Sequence, residues 1–331
     1  MSATARTEPA GDTRRHPPRI LRGLPWLVWR QHRVAFVAAL ALTAAGVLSM
    51  VWQRRETAAF LHDHRGGEEF TTLINAFQGS LSQALQGAAE NLEMVPLIVG
   101  VFLGAPLIAG DRERGTVKLV TTQSVTRRRW LAAKIGITVL ITVVCTALLG
   151  AVFTWWWEPV HELADSGHWS ESPIFDTTGP MLVAKSLLFL SVGIAFGVLV
   201  RRTVTAMVLT FGSCFALDLV WDSLRLRFHD FRTLTVPVRD LGEPGPVLPR
   251  GAVRYDSWTV DAKGGLHGFG TCFNERTAEG CRTNKGIVAD RLDYFGYDQL
   301  PAMQWTSAAI FLLLTVAILA LTLWWAGRRA L

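Results

Sequence analysis

Six apolar runs of about 20 residues leave this chain few ways to fold, because each is long enough to cross roughly 30 Å of hydrocarbon as a helix. They fall near residues 34–52, 94–110, 135–155, 181–200, 203–221 and 303–326. A water-soluble core would break such runs into amphipathic pieces. In lipid, by contrast, every backbone N–H and C=O must be satisfied within the segment, which selects helices. Composition agrees, with 50% of the 331 residues apolar and 18% charged. The expected fold is an all-α polytopic membrane protein with six transmembrane helices. Only Arg201 and Arg202 join the fourth run to the fifth, so these two should form an antiparallel hairpin.

Positive charge orients the expected spans. Seven Lys/Arg precede residue 34, seven lie in the segment 111–134, and Arg201, Arg202, Arg328 and Arg329 bring that side to 18. The two short connections on the other side hold three, Arg54, Arg55 and Arg65. The positive-inside rule therefore places both termini and the segment 111–134 in the cytoplasm. The stretch 222–302 is expected outside, and it is too long for its eleven Lys/Arg to count against this orientation. Tryptophan agrees: Trp52, Trp155, Trp156, Trp221 and Trp305 fall at outer span ends and Trp130, Trp324 and Trp325 at inner ones.

Residues 1–18 are polar, with Arg and Pro, and read as a disordered cytoplasmic tail. Residues 19–33 mix Leu and Trp with Arg and His, the composition of an interfacial helix or of a cytoplasmic extension of the first span. A cleavable secretion signal is disfavoured, since the first apolar run is long and five more follow. The spans 1–5 occupy residues 34–221, and residues 303–331 form the sixth span and its cytoplasmic end. Between them, 222–302 reads as a small loop-rich extracellular insertion with strand-like stretches at 234–239 and 253–260. Cys145 and Cys214 lie inside spans. Cys272 and Cys281 lie in the insertion, where an oxidising exterior and a sparse core favour a disulfide over two free thiols.

Chemical motifs are few. No Gly-x-x-x-x-Gly-Lys-Ser/Thr loop occurs, so any ATP must be hydrolysed by a separate subunit, and no cofactor or nucleic-acid partner is expected. His161, Glu162, Asp165 and His168 lack metal-ligand spacing, as do His62, Asp63 and His64, and no metal is expected. No span gathers the His, Glu and Asp that an intramembrane enzyme would need. Two charges inside spans invite pairing: Lys185 lies 16 residues before Arg201 and Asp218 lies 16 after Arg202. Both should therefore reach one depth, about 24 Å from the same turn. They either form an ion pair across the hairpin or snorkel separately to headgroups. Gly100-x-x-x-Gly104 and Gly193-x-x-x-Gly197 permit close helix approach, within the bundle or across a dimer seam. Pro96 and Pro106 should kink or break the second span, making it either a wall of a substrate path or a merely bent helix.

The charged segment carries a resemblance. Glu113-Arg114-Gly115-Thr116, followed by Thr122-Gln123-Ser124-Val125-Thr126-Arg127, then Arg129-Trp130-Leu131 and Lys134, resembles the cytoplasmic loop of the ATP-binding-cassette (ABC) type 2 permeases. Trp29-Arg30-Gln31-His32-Arg33 is similar to the leading helix of an actinobacterial branch of that family. The resemblance implies a transport subunit with no nucleotide site of its own, in a bacterial plasma membrane, paired with a second permease copy or paralogue. It also implies a coupling loop, 111–134, that docks on a separate ABC ATPase. Glu113, Gly115, Thr116, Gln123, Arg127 and Arg129 would carry that contact, with Glu113 and Thr116 capping a helix start. The arginines at 127–129 would meet either the ATPase or anionic headgroups. The expected function is export of an amphipathic or hydrophobic molecule; the alternative is a membrane-anchored sensor or immunity protein whose outer loop binds a ligand without transport.

Overall fold

A computed structural model describes residues 24–63, 72, 77, 79–114, 127–163, 168–237, 248–272 and 277–328. The tail 1–18 lies outside them. Six helical stretches among the described residues are long and apolar enough to cross a membrane, as expected from the sequence. Helix α1 (Leu24–Asp63) is the first. The second is composite: α2 (Ser80–Ile98), a π-helical turn (Val99–Gly104) and α3 (Ala105–Glu113). Helix α4 (Arg127–Trp157) is the third, and a short helix, α5 (Ser172–Thr177), precedes α6 (Met181–Leu199) and α7 (Thr203–Leu224). The insertion holds strands β1 (Arg232–Pro237), β2 (Val253–Asp261) and β3 (Leu266–Gly268), helix α8 (Ala278–Asn284) and strand β4 (Ile287–Phe295). Helix α9 (Leu300–Arg328) completes the chain.

Residues 24–33 continue directly into the first span as one helix of 40 residues. The fourth and fifth spans form the tight hairpin that Arg201 and Arg202 imply. Val200 and Arg202 adopt extended conformations there, ending one helix and starting the next.

Helix α6 is the hub of the bundle. It packs on α9, α4, α7 and the whole second span, and most of its residues are buried. Helices α1 and α7 instead leave apolar faces uncovered, such as Val34, Leu42 and Leu48 on one and Val204, Val208 and Phe215 on the other. Apolar faces of this kind are what a span turns toward lipid tails. The two small-residue motifs meet each other: a Cβ on Gly100 would lie 2.8 Å from Phe189 O, and one on Gly197 would lie 2.6 Å from Ala105 O. A Cβ on Gly193 would run into Gly100 O. Both motifs thus serve packing inside one chain, bringing the backbones of the second and fourth spans together.

Between Pro96 and Pro106 the second span widens into a π turn, where Ala105 N donates to Gly100 O, five residues back. The physical cause is Pro106, which has no N–H and whose ring would crowd the carbonyl four residues before it; a wider turn relieves both problems.

The insertion is more ordered than its composition suggests. Its strands form an antiparallel sheet in the order β1-β4-β2-β3. Cys272 and Cys281 are joined by a disulfide that packs on Ile287 of β4. Asp261 organises the β2–β3 turn: its Oδ1 accepts from Lys263 N at 2.8 Å and Gly265 N at 2.7 Å, while Oδ2 lies 3.0 Å from His267 Nε2. These bonds, the histidine's foremost, hold the Asp261 carboxyl below its ordinary range. Aromatic contacts seat the insertion on the bundle. Trp157 Nε1 donates to Tyr297 Oη at 3.1 Å, Trp169 Nε1 donates to Gly251 O at 2.7 Å, and His161 stacks on Tyr297 with centroids 4.1 Å apart.

Candidate functional site

The ends of five spans are tied together at the Lys/Arg-rich end of the bundle. The centre is Asp111 on α3, one of whose carboxylate oxygens receives Lys134 Nζ from α4 while the other receives Gln31 Nε2 from α1. Asp111 and Lys134 are both buried, at 4% and 0% exposed, so each carboxylate or ammonium depends on the other. Lys134 Nζ also donates to Leu107 O at 3.2 Å and lies 4.9 Å from the centre of the Trp130 ring. Next to it, Arg112 donates to Val198 O at the C-terminal end of α6, where free carbonyls and the helix dipole favour a cation.

Glu113 completes the set in a way the sequence did not suggest. It is the last residue of α3. Its Oε2 accepts from Thr203 N at 3.0 Å and Thr203 Oγ1 at 2.5 Å, so it caps the first turn of α7 from another helix. The sequence pattern misleads because an acidic residue two positions before Gly-Thr looks like a local cap, whereas the orphan N–H groups it serves belong to a helix 90 residues away. Among the other residues expected to couple to an ATPase, Gly115, Thr116 and Gln123 lie outside the described residues. Arg127 is the first residue of α4, and Arg129, exposed, follows in the same turn. The structure therefore shows the base from which the segment 115–126 springs.

At the opposite end of the bundle lies a buried ion cluster. Lys185 Nζ sits 2.7 Å from Asp218 Oδ1, across the α6–α7 hairpin. It sits equally close, at 2.7 Å, to Asp176 Oδ2. Sequence reasoning missed Asp176, which lies on α5 in a connection with no periodicity to reveal its depth. Trp221 Nε1 donates to Asp176 Oδ1 at 3.3 Å, and Ser172 Oγ lies 2.6 Å from Glu93 Oε1 on α2. Three elements thus meet at one ammonium, and α2 joins the cluster through Ser172, an arrangement that locks the helices together.

Among the described residues, no group of three or more His, Cys, Asp or Glu is arranged to hold a metal ion. His161, singled out in the sequence, is engaged with Tyr297, and Asp165 lies outside the described residues.

A family model described as ABC-2 membrane transporter related matches residues 29–225. The match spans both ion networks and ends where the insertion begins. No curated protein and no solved structure matches the chain.

Proposed function

The chain belongs to the ABC-2 membrane transporter related family, as a multi-pass permease component of an ABC transporter, and on that premise we propose that it couples ATP hydrolysis by a separate ATPase subunit to export of an amphipathic or hydrophobic molecule. In this reading the Lys/Arg-rich end faces the cytoplasm, the insertion lies outside, and the segment 111–134 is the docking element. A second permease copy or paralogue supplies the other half of the path.

One observation carries the coupling assignment: the loop's two roots are fixed to five spans through Asp111–Lys134, Gln31–Asp111, Arg112–Val198 and Glu113–Thr203. A push on residues 115–126 is then delivered to α1, α4, α6 and α7 together. Glu113 acts here as a positioning residue, while Gly115, Thr116, Gln123, Arg127 and Arg129 are the residues proposed to meet the ATPase. The rival reading, a sensor or immunity protein, draws on the folded, disulfide-bridged insertion as a ligand-binding platform.

Affinity purification of the tagged chain from its native membrane decides between them. An ATPase subunit bearing a phosphate-binding loop should co-purify, and Gly115→Pro or Thr116→Arg should abolish that association while the melting temperature of the permease stays unchanged. Unaltered ATPase recovery with both variants would overturn the docking assignment.

A further inference from the structure

A groove of about 910 Å³ runs between α1, α2 and α4 and reaches the π turn of the second span. Its size matches sites that bury small amphiphiles and drug-sized molecules, about 300–1,000 Å³. The groove exists because both walls are shaved. Ala38, Ala39 and Gly46 line it from α1, and Ala84, Gly87 and Ala88 line it from α2. Gly87 is the clearest case, since a Cβ there would meet nothing within 4 Å.

Polarity changes along the groove. From Ala35 to Gln53, both lining, α1 rises 18 residues, or about 27 Å. Toward the Lys/Arg-rich end the lining is apolar, with Leu42, Phe102 and Leu103. Toward the opposite end it carries Ser49, Gln53, Gln83 and Asn91. None of the described lining residues is Asp, Glu, Lys or Arg.

At the polar end of this lining, Gln53 Oε1 has no hydrogen-bond partner among the described residues. Leaving a buried amide oxygen unmatched is costly unless a ligand or water completes it.

We propose that this groove is a binding site for a linear amphiphile with an uncharged, hydroxyl- or amide-bearing head near Gln53 and Asn91 and an apolar tail running toward Phe102. The proposal rests on the export reading and names the class of substrate. A charged head is disfavoured because nothing along the lining would compensate it in a low-dielectric site.

The test uses the full chain in nanodiscs, purified with any ATPase that accompanies it, and a diazirine-bearing monoacylglycerol as probe. The fatty acid carrying the same diazirine tail, ionised at neutral pH, is the comparison. Adducts mapped by peptide mass spectrometry should concentrate in residues 34–53, 80–103 and 138–149, and the fatty acid should label them about tenfold less. Gly87→Phe should reduce the adducts by about tenfold by filling the groove, without changing the melting temperature. Gln53→Leu should weaken probe competition by about three- to tenfold. Adducts spread evenly over α7 and α9, or labelling indifferent to Gly87→Phe, would mean ordinary annular lipid and overturn the proposal. Groove peptides cross-linked to a second copy of the chain would overturn it too, as a protein interface. ATPase recovery, read on the same preparation, reports the coupling assignment separately: its loss with labelling intact refutes that assignment alone.

Discussion

Lys185 ties α5, α6 and α7 together at the end of the bundle opposite the Lys/Arg-rich one. Replacing it with Met would leave Asp176 and Asp218 facing each other without a cation, and thermal melting in nanodiscs should show a loss of about 3–5 kcal/mol. Asp218→Asn should cost less, because the Asp218 side chain is 28% exposed and Asp176 still holds the ammonium at 2.7 Å. Equal losses for the two variants would mean that the three groups do not act as a unit. The equal depth of Lys185 and Asp218 was legible in the sequence because a two-residue turn fixes the register of an antiparallel hairpin, while their pairing was one of two alternatives. Asp176 was not, since its place depends on how an aperiodic connection folds back. Outside the spans, Asp261 makes a pH prediction. Its folded-state pKa is depressed, so its contribution is present above the unfolded value and lost as pH falls through the folded one. Hydrogen exchange, corrected for intrinsic rates, should show the Lys263 and Gly265 amides losing protection across that acidic window, and Asp261→Asn should remove the pH dependence.

Among the elements, the crossing of the second and fourth spans is the tightest. Gly193→Ala should destabilise by about 1–3 kcal/mol through overpacking, while Gly212→Ala, where a Cβ meets nothing within 4 Å, should be neutral. Matching melting temperatures for the two would show that the backbones are not in close contact. The sequence displayed both glycine pairs but not their partnership, because small-residue spacing says that a neighbour can approach and not which neighbour does. Strand β4 escaped notice for a different reason. Its pairing with β2 shifts register between Val260 and Asp261, leaving Val288 of β4 as the extra residue, and such an irregularity breaks the period of two by which a strand is recognised. At Glu113 the residue was legible and its partner was not, since a cap supplied by a distant helix leaves no local pattern.

For the whole molecule, bundle and insertion depend on one another at a few aromatic contacts. Tyr297→Phe would leave the Trp157 indole N–H unpaired where it is buried, at a cost of about 1–3 kcal/mol. Limited proteolysis should then cut the insertion faster while the spans stay intact. Cys281→Ser should act in the same place, weakening the insertion by about 2–4 kcal/mol. The six spans were legible because hydrocarbon thickness imposes a length that no other environment demands; of the insertion, the disulfide and the strands β1 and β2 were legible, and the four-stranded sheet was not, because its order comes from long-range pairing. The π turn has a consequence for the molecule as a whole. It stores a phase slip, so the two halves of the second span obey different angular registers. Deleting one residue inside it, such as Phe102, would let an ordinary α turn take its place with the segment carrying Asp111 and Glu113 unmoved, whereas deleting one from the regular helix beyond it, such as Ile108, would swing that segment by about 100°. Both side chains would turn from Lys134 and Thr203, and one codon would disconnect the loop's roots from the bundle without touching any of the residues that form them.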